Sequence, residues 1–335
     1  MRIVSRAPCR VDLACATLDI WPLYLYHPGA VTVNFAVDRY TECTIETHRS
    51  PEIHIQSLDL GAEVRFRSIE KLRMEHESRL PLATYVLRFF PVDRGLRMQT
   101  NSEAPAGAGI SGSSALIIAV ASALNRFTRS GHSLEKIREI SQNIEAQIIR
   151  VPTGCQDYYP AMYGGFSAIE LGPCGIRRTP IPVDYEDFNE RALLVYTGVP
   201  RNSGINNWEV TKAYIDGDRR VHRNFEHIAG VAIAMRTAVE RGDWAEAGRL
   251  LREDWSNRRK NATGISSPMI DYLISAARKA GALGAKACGA GGGGCVFFLV
   301  ERGAKAKVTS VVEKAGAVIL PVKVAQRGVT VRARN

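Results

Sequence analysis

Residues 104–115 read Ala-Pro-Ala-Gly-Ala-Gly-Ile-Ser-Gly-Ser-Ser-Ala, and an unbroken helical stretch from Leu116 to Phe127 follows at once. A glycine-rich turn that opens a helix leaves several backbone N–H groups without intrahelical partners. The helix dipole adds partial positive charge at the same end. Such a turn cradles an anion, and a phosphate fits it. Gly107, Gly109 and Gly112 let backbone approach that anion without Cβ clashes. Ser113 and Ser114 supply hydroxyls where a phosphate or a Mg²⁺ would sit. The expected phosphate contacts are therefore Pro105, Gly107, Ala108, Gly109, Ser111, Gly112, Ser113 and Ser114.

Two other patterns overlap these residues. Gly107, Gly109 and Gly112 satisfy the dinucleotide fingerprint, yet Pro105 interrupts the direct strand-to-glycine turn and no βαβ alternation surrounds it. Gly107, Gly112 and Ser114 fit P-loop spacing, but Ser113 stands where the lysine is needed. A helix start rich in glycine only for packing is the remaining reading.

A second cluster, Lys-Ala-Cys-Gly-Ala-Gly-Gly-Gly-Gly-Cys-Val-Phe at 286–297, holds five glycines among the six residues from 289 to 294. Such a run costs chain entropy on folding, so it implies close backbone approach to something. Lys286 reads only as its flank, and an apolar strand, Cys295 to Val300, follows. A third segment opens the chain: Arg6-Ala7-Pro8-Cys9-Arg10-Val11-Asp12-Leu13. In their order, the three segments resemble the motifs of the GHMP kinases, from Arg6 to Phe297. Gly154-Cys155-Gln156-Asp157, Tyr163-Gly164-Gly165-Phe166 and Tyr196-Thr197-Gly198-Val199-Pro200-Arg201-Asn202-Ser203 resemble the sugar-1-kinase branch, which includes heptose phosphate kinases and galactokinase-like members.

The resemblance implies an α+β, two-domain fold, with a ribosomal S5 domain 2-like N-terminal domain and a ferredoxin-like C-terminal domain. It implies ATP and Mg²⁺, and a sugar or sugar phosphate as acceptor. It places a metal-binding glutamate at Glu145, beside Ser114; the other reading is an ordinary exposed helix carboxylate. Asp157 falls at the catalytic aspartate, although a carboxylate at a helix start is also stabilised by the dipole alone. Arg10 falls beside that base, where a fixed cation would lower its pKa and neutralise developing charge; a salt bridge is the plainer role. Asp19 matches a substrate-binding aspartate, and Trp21 is either a sugar-stacking ring or core. Gly154, Gly291 and Gly292 complete the expected substrate side. Cys15 and Ala16 stand where sugar-kinase members carry glycines, which predicts a reshaped sugar pocket.

With 335 residues, 45% of them hydrophobic, the chain has enough apolar surface for two cores, expected at 1–175 and 176–335 with the boundary at Gly172-Pro173-Cys174-Gly175. The net charge of +10 suits anionic ligands, and nucleic acid too. The basic residues are dispersed, however, and clusters such as Arg258-Arg259-Lys260 read as solvated helix faces, so no nucleic-acid partner is expected. Seven cysteines without a C-x-x-C pair support neither a disulfide framework nor a zinc site, and the start reads straight into a strand. A cytoplasmic protein with no membrane partner, monomeric or homodimeric, is expected. Strands are predicted near 1–15, 30–48, 52–57, 62–67, 96–101, 165–171, 176–182 and 191–197. Helices are predicted near 81–91, 113–128, 133–149, 205–215, 219–241, 243–259 and 267–280. The expected activity is transfer of the ATP γ-phosphoryl group to a sugar hydroxyl. Its rivals are a non-sugar alcohol acceptor such as mevalonate or homoserine, and a ligand sensor without turnover.

Overall fold

The computed structural model describes every residue except 76, 201, 202 and 335, and gives only the backbone of 203–206. Two sheets organise it. The first is built on β1 (Arg2–Ala14) and β2 (Val31–Thr47), long antiparallel neighbours. The far half of β2 pairs with β5 (Leu96–Ser102) and its near half with β6 (Phe166–Gly172). β3 (Ile53–Ser57) and β4 (Ala62–Phe66) extend the sheet beyond β5. In β3 and β5 alternate residues turn inward: Ile53, Ile55, Leu96 and Met98 are buried. Period-two alternation puts them on one face.

That face is covered by α3 (Gly112–Thr128), which lies on β1 and β2 with α2 (Pro81–Phe89), α4 (Leu134–Ile149) and α5 (Tyr158–Tyr163) beside it. Small residues at Ala115, Ala119, Ala121 and Ala123 let α3 be buried on nearly every side. The expected cap of α4 is present, with Ser133 Oγ accepting from the Lys136 N–H at 3.2 Å. Two short helices, α1 (Ile69–Met74) and α6 (Tyr185–Arg191), have no counterpart in the sequence expectation. Neither spans enough turns to show a 3.6-residue period.

The second sheet is antiparallel, in the order β11 (Val318–Leu320), β8 (Ala192–Tyr196), β10 (Cys295–Val300), β9 (Ala282–Ala287). The helices α9 (Trp244–Arg258), α10 (Pro268–Lys279) and α11 (Lys305–Lys314) pack on it, and α8 (Arg219–Glu240) lies between α9 and strands β1 and β2 of the first sheet. α7 (Ser203–Ile215) precedes them. α9 and β9 meet at two glycines: a Cβ on Gly284 would lie 2.3 Å from the Gly248 carbonyl oxygen. This close approach brings the side chains of α9 and β9 into one layer.

The sheets do not part at residue 175. Gly172 and Gly175 pair across a tight hairpin, and β7 (Gly175–Ile181) continues the first sheet along β6. Gly172-Pro173-Cys174-Gly175 is thus a turn within a sheet, and the second sheet begins with β8. The tail also returns to the first sheet, where β12 (Thr330–Arg334) pairs with β1. No helix among the described residues is long and apolar enough to cross a membrane.

Candidate active site

A cleft of about 610 Å³ opens between the loop that joins β5 to α3, the end of α4, the turn before α5, and the turn after β1. The loop takes left-handed backbone at Gly107 (φ 69°) and Gly109 (φ 82°), and also at Ser111 (φ 58°), where a side chain must tolerate it. Its carbonyls are held from behind. Ala108 O accepts the Cys295 N–H at 2.7 Å, Gly109 O accepts Arg10 Nη1 at 3.0 Å, and Ile110 O accepts the Arg10 N–H at 3.0 Å. In a trans peptide the N–H points opposite to the carbonyl. The amides of Gly109, Ile110 and Ser111 therefore point away from that support, and Gly109 and Ser111 line the cleft. Ser111 precedes α3 without capping it, and its buried Oγ has no hydrogen-bond partner among the described residues. Pro105, Gly107, Ala108, Gly112, Ser113 and Ser114 also line the cleft.

Glu145 reaches the same place from α4. Its carboxylate accepts Ser113 Oγ at 2.7 Å, Ser114 Oγ at 3.2 Å and the Tyr158 hydroxyl. It is 8% exposed, so it is not a solvated helix residue. Burial raises its pKa, and the hydrogen bonds from Tyr158 and Ser113 offset only part of the rise. No Lys or Arg among the described residues is ion-paired with it. The segment before α5 carries Asp157, whose Oδ1 accepts Arg10 Nε at 2.8 Å and lies 2.7 Å from Arg10 Nη2. Arg10 is buried. Burial would lower its pKa, but Asp157 and Asp12 outweigh burial and raise it. One guanidinium thus joins Asp157 to the glycine loop.

Asp19 enters from the turn after β1. Its Oδ2 accepts the Gln156 N–H at 2.9 Å, beside Asp157 in sequence. Gly154 is needed there, because a Cβ on it would lie 2.1 Å from Asp19 Oδ2. Burial and then the Asp157 charge push the Asp19 pKa up to about 6, against the pull of the Gln156 N–H. The same turn holds Cys15 (φ 70°) and Thr17 (φ 81°) in left-handed backbone. Ala16, between them, lines the cleft.

Several sequence expectations need correction. Trp21 is 64% exposed and is absent from the cleft wall, since the turn carries Asp19 inward and Trp21 outward. Gly291 and Gly292 are also off the wall. A Cβ on Gly291 would meet the Ile265 carbonyl oxygen at 2.3 Å, and the Gly292 N–H donates to that same oxygen at 2.8 Å. Gly289 and Ala290 face the cleft instead. Arg258 is 3% exposed and lines the cleft rather than facing solvent. Arg201 and Asn202 lie outside the described residues, as do the side chains of Ser203 and Asn206; Asn207 lines the cleft.

Lys286 is the residue that sequence reasoning missed. It is fully buried, with Nζ 2.7 Å from Asp12 Oδ2 and 2.7 Å from Asp254 Oδ2. Burial would lower its pKa, but the two carboxylates raise it. Burial would likewise raise the Asp12 carboxyl, but Lys286, Arg10 and Arg258 hold it well below the usual range. The available signal was a lone lysine among the small residues of Ala282–Ala287.

A glycine cradle at a helix start, a buried carboxylate joined to hydroxyls, and an Arg–Asp pair facing the cradle are the parts of a phosphoryl-transfer enzyme. Comparison with known proteins places it within that class. Residues 73–165 match the family model described as GHMP kinases N terminal domain, and 235–318 match GHMP kinases C terminal. The chain belongs to the GHMP kinase family, and ATP is the phosphoryl donor that this membership implies. It is 25% identical over 310 residues to the D-glycero-alpha-D-manno-heptose 7-phosphate kinase of Campylobacter jejuni, covering 89% of each chain. It is 24% identical over 359 residues to the mevalonate kinase of Thermococcus onnurineus, covering 99% of this chain and 98% of the relative. A crystal structure of a D-glycero-D-manno-heptose 1-phosphate kinase from Bacteroides thetaiotaomicron superposes with a TM-score of 0.80 at 22% identity, over 99% of both chains. The two-domain α+β fold is thus that of the family.

Proposed function

We propose that the chain transfers the γ-phosphoryl group of ATP to a hydroxyl of a sugar or sugar phosphate, of the heptose type. One observation carries the reading: Arg10 binds Asp157 and the Gly109 carbonyl at once, so the base and the phosphate cradle keep a fixed separation. The amides of 109–111 and the uncapped start of α3 bind the phosphates. Ser111 Oγ, buried without a partner among the described residues, is a further donor toward them. Asp157 orients the acceptor hydroxyl and takes its proton, while Arg10 neutralises charge that develops on the transferred group. Asp19 accepts from neighbouring sugar hydroxyls. A second carboxylate beside Asp157 suits hydroxyls on neighbouring carbons, which sugars present and mevalonate and homoserine do not.

Ser114 and Glu145 suit Mg²⁺. A buried carboxylate whose partners are all hydroxyls supplies hard oxygen ligands and lacks a cation of its own. No group of three His, Cys, Asp or Glu placed to hold a metal ion occurs among the described residues, so the phosphates and water would complete the shell. Held by the Ser114 hydroxyl and the Glu145 carboxylate, such an ion would supply positive charge against the phosphates. Glu145→Gln keeps the shape and removes the charge. Turnover should fall at least about tenfold at limiting Mg²⁺ and recover in part with Mn²⁺. Wild-type turnover at limiting Mg²⁺ would return Glu145 to a structural role. A cytoplasmic setting and a monomeric or homodimeric state belong to the same reading.

The decisive experiment is ADP release from a panel of aldoses, heptose 7-phosphates, mevalonate and homoserine. Turnover of a sugar or sugar phosphate supports the proposal. Turnover of mevalonate or homoserine alone replaces it with the non-sugar kinase, and ATP binding without turnover of any acceptor points to a sensor.

A further inference from the structure

Beneath the cleft lies a layer of buried charge that the reaction as proposed does not use. Asp12 comes from β1, Asp254 and Arg258 from α9, and Lys286 from β9; each is at most 3% exposed. Lys286 bridges Asp12 and Asp254. Each carboxylate then holds a segment beside the cleft by its other oxygen. Asp12 Oδ1 lies 3.4 Å from Arg10 Nη1 and accepts the Gly289 N–H at 3.5 Å. Asp254 Oδ1 accepts the Cys15 N–H at 3.1 Å. Cys15 is the first left-handed residue of the turn that delivers Asp19. A side chain in that backbone costs about 1–2 kcal/mol, so something must hold it. Arg258 donates to the Ala287 and Gly289 carbonyls and lies 3.9 Å from Asp12 Oδ2. With Arg10 and Asp157 added, three cations face three carboxylates.

Buried ion pairs are a poor way to gain stability, since desolvation offsets most of the attraction. Their geometry has a different use. We propose that Lys286 and Asp254 are positioning residues for the acceptor side of the cleft: through Asp12 they fix Arg10, and through Cys15 they fix the turn that carries Asp19. The inference rests on the kinase reading for its kinetic consequence, but not for its structural one.

The test uses the full-length chain and three variants. Lys286→Met leaves the buried Asp254 carboxylate without its cation and takes one of three from Asp12, and is expected to lose stability outright. Lys286→Met/Asp254→Leu restores the balance of charge but removes the acceptor for Cys15. Lys286→Met/Asp254→Asn restores the balance and keeps an oxygen for that N–H. Hydrogen exchange read over residues 13–21 should quicken by about tenfold in the leucine double variant, the worth of one buried charge-assisted hydrogen bond. The asparagine double variant should recover most of that protection. Exchange in β3 and β5 should stay unchanged, and affinity for the Mg²⁺ form of a nonhydrolysable ATP analogue should stay within about threefold. With the sugar turned over by the wild type, the leucine variant should show a raised acceptor KM and a lowered kcat, with the ATP KM unchanged. Wild-type exchange over 13–21 together with wild-type kinetics in the leucine double variant would overturn the proposal. So would faster exchange spread over the whole chain, the sign of a merely structural layer. If the wild type turns over no sugar, the kinase reading fails, while the exchange pattern still decides the positioning role.

Discussion

The two glycine-rich segments of this chain have similar composition and opposite work. The loop at 104–112 lines the cleft, and its amides at 109–111 point away from the segments that hold its carbonyls. The segment at 289–294 mostly faces other backbone. A Cβ on Gly294 would sit 2.6 Å from the Ala108 carbonyl oxygen, and the next N–H, of Cys295, bonds that oxygen. The second segment is thus the bed on which the first rests. Glycine in one region leaves an open cleft wall, and in the other makes room for the chain itself. The difference extends to the charged residues, where Asp157 and Asp19 face the cleft while Asp12, Asp254 and Lys286 lie behind it.

If the distinction is right, cleft-facing changes should alter kinetics first and supporting changes should alter stability first. The largest effect is expected at Asp157. Asp157→Asn keeps an oxygen for Arg10 but cannot take a proton, so kcat should fall by roughly 10²–10⁴-fold with ATP affinity preserved. Near-normal turnover would remove Asp157 as the base. Next come the two glycine regions themselves. Gly294→Ala meets both a left-handed backbone (φ 72°) and a carbonyl, and should cost about 3 kcal/mol or more in denaturant unfolding. Gly109→Val should be milder in stability but should weaken ATP binding strongly in calorimetry. Equal stability losses in the two variants would erase the contrast between ligand-facing and chain-facing glycine.

Asp19 offers a finer discrimination through pH. Its pKa is raised to about 6, so the folded state favours the protonated form. The associated stability is present below the ordinary carboxylate pKa and is lost as pH rises from about 4 through about 6. Asp19→Asn should therefore stabilise the protein at pH 8 by up to about 2–3 kcal/mol, with no gain near pH 4, while acceptor affinity falls. A destabilised variant at pH 8 would make Asp19 a supporting residue. The smallest effect is expected at Trp21. Its exposure predicts that Trp21→Ala changes stability by no more than about 0.5 kcal/mol and acceptor KM hardly at all. A large rise in KM would restore it to the sugar site.

What the sequence determined by itself was local and periodic. The expected strands at 52–57 and 96–101 are β3 and β5, and the helix at 113–128 is α3, because alternation and helical spacing are written in consecutive residues. The glycine turn before α3 was legible for the same reason, since free amides at a helix start follow from the chain's local path. Tertiary structure decided everything that depends on distant segments meeting. Gly172-Pro173-Cys174-Gly175 carries the residues of a boundary, yet only strand pairing shows that it is a hairpin turn inside the first sheet. Arg258 and Arg259 are adjacent and look alike in sequence. Arg258 is nevertheless buried at the cleft, whereas Arg259 pairs with Asp271 at the surface, because the face that α9 turns toward β9 selects one of them. Lys286 shows the limit most clearly. A lysine is ordinarily a surface residue, and its two carboxylate partners lie 32 and 274 positions away in the chain, Asp254 on α9 and Asp12 on β1. Desolvation makes that burial costly unless both partners arrive together, and only the folded chain brings them there.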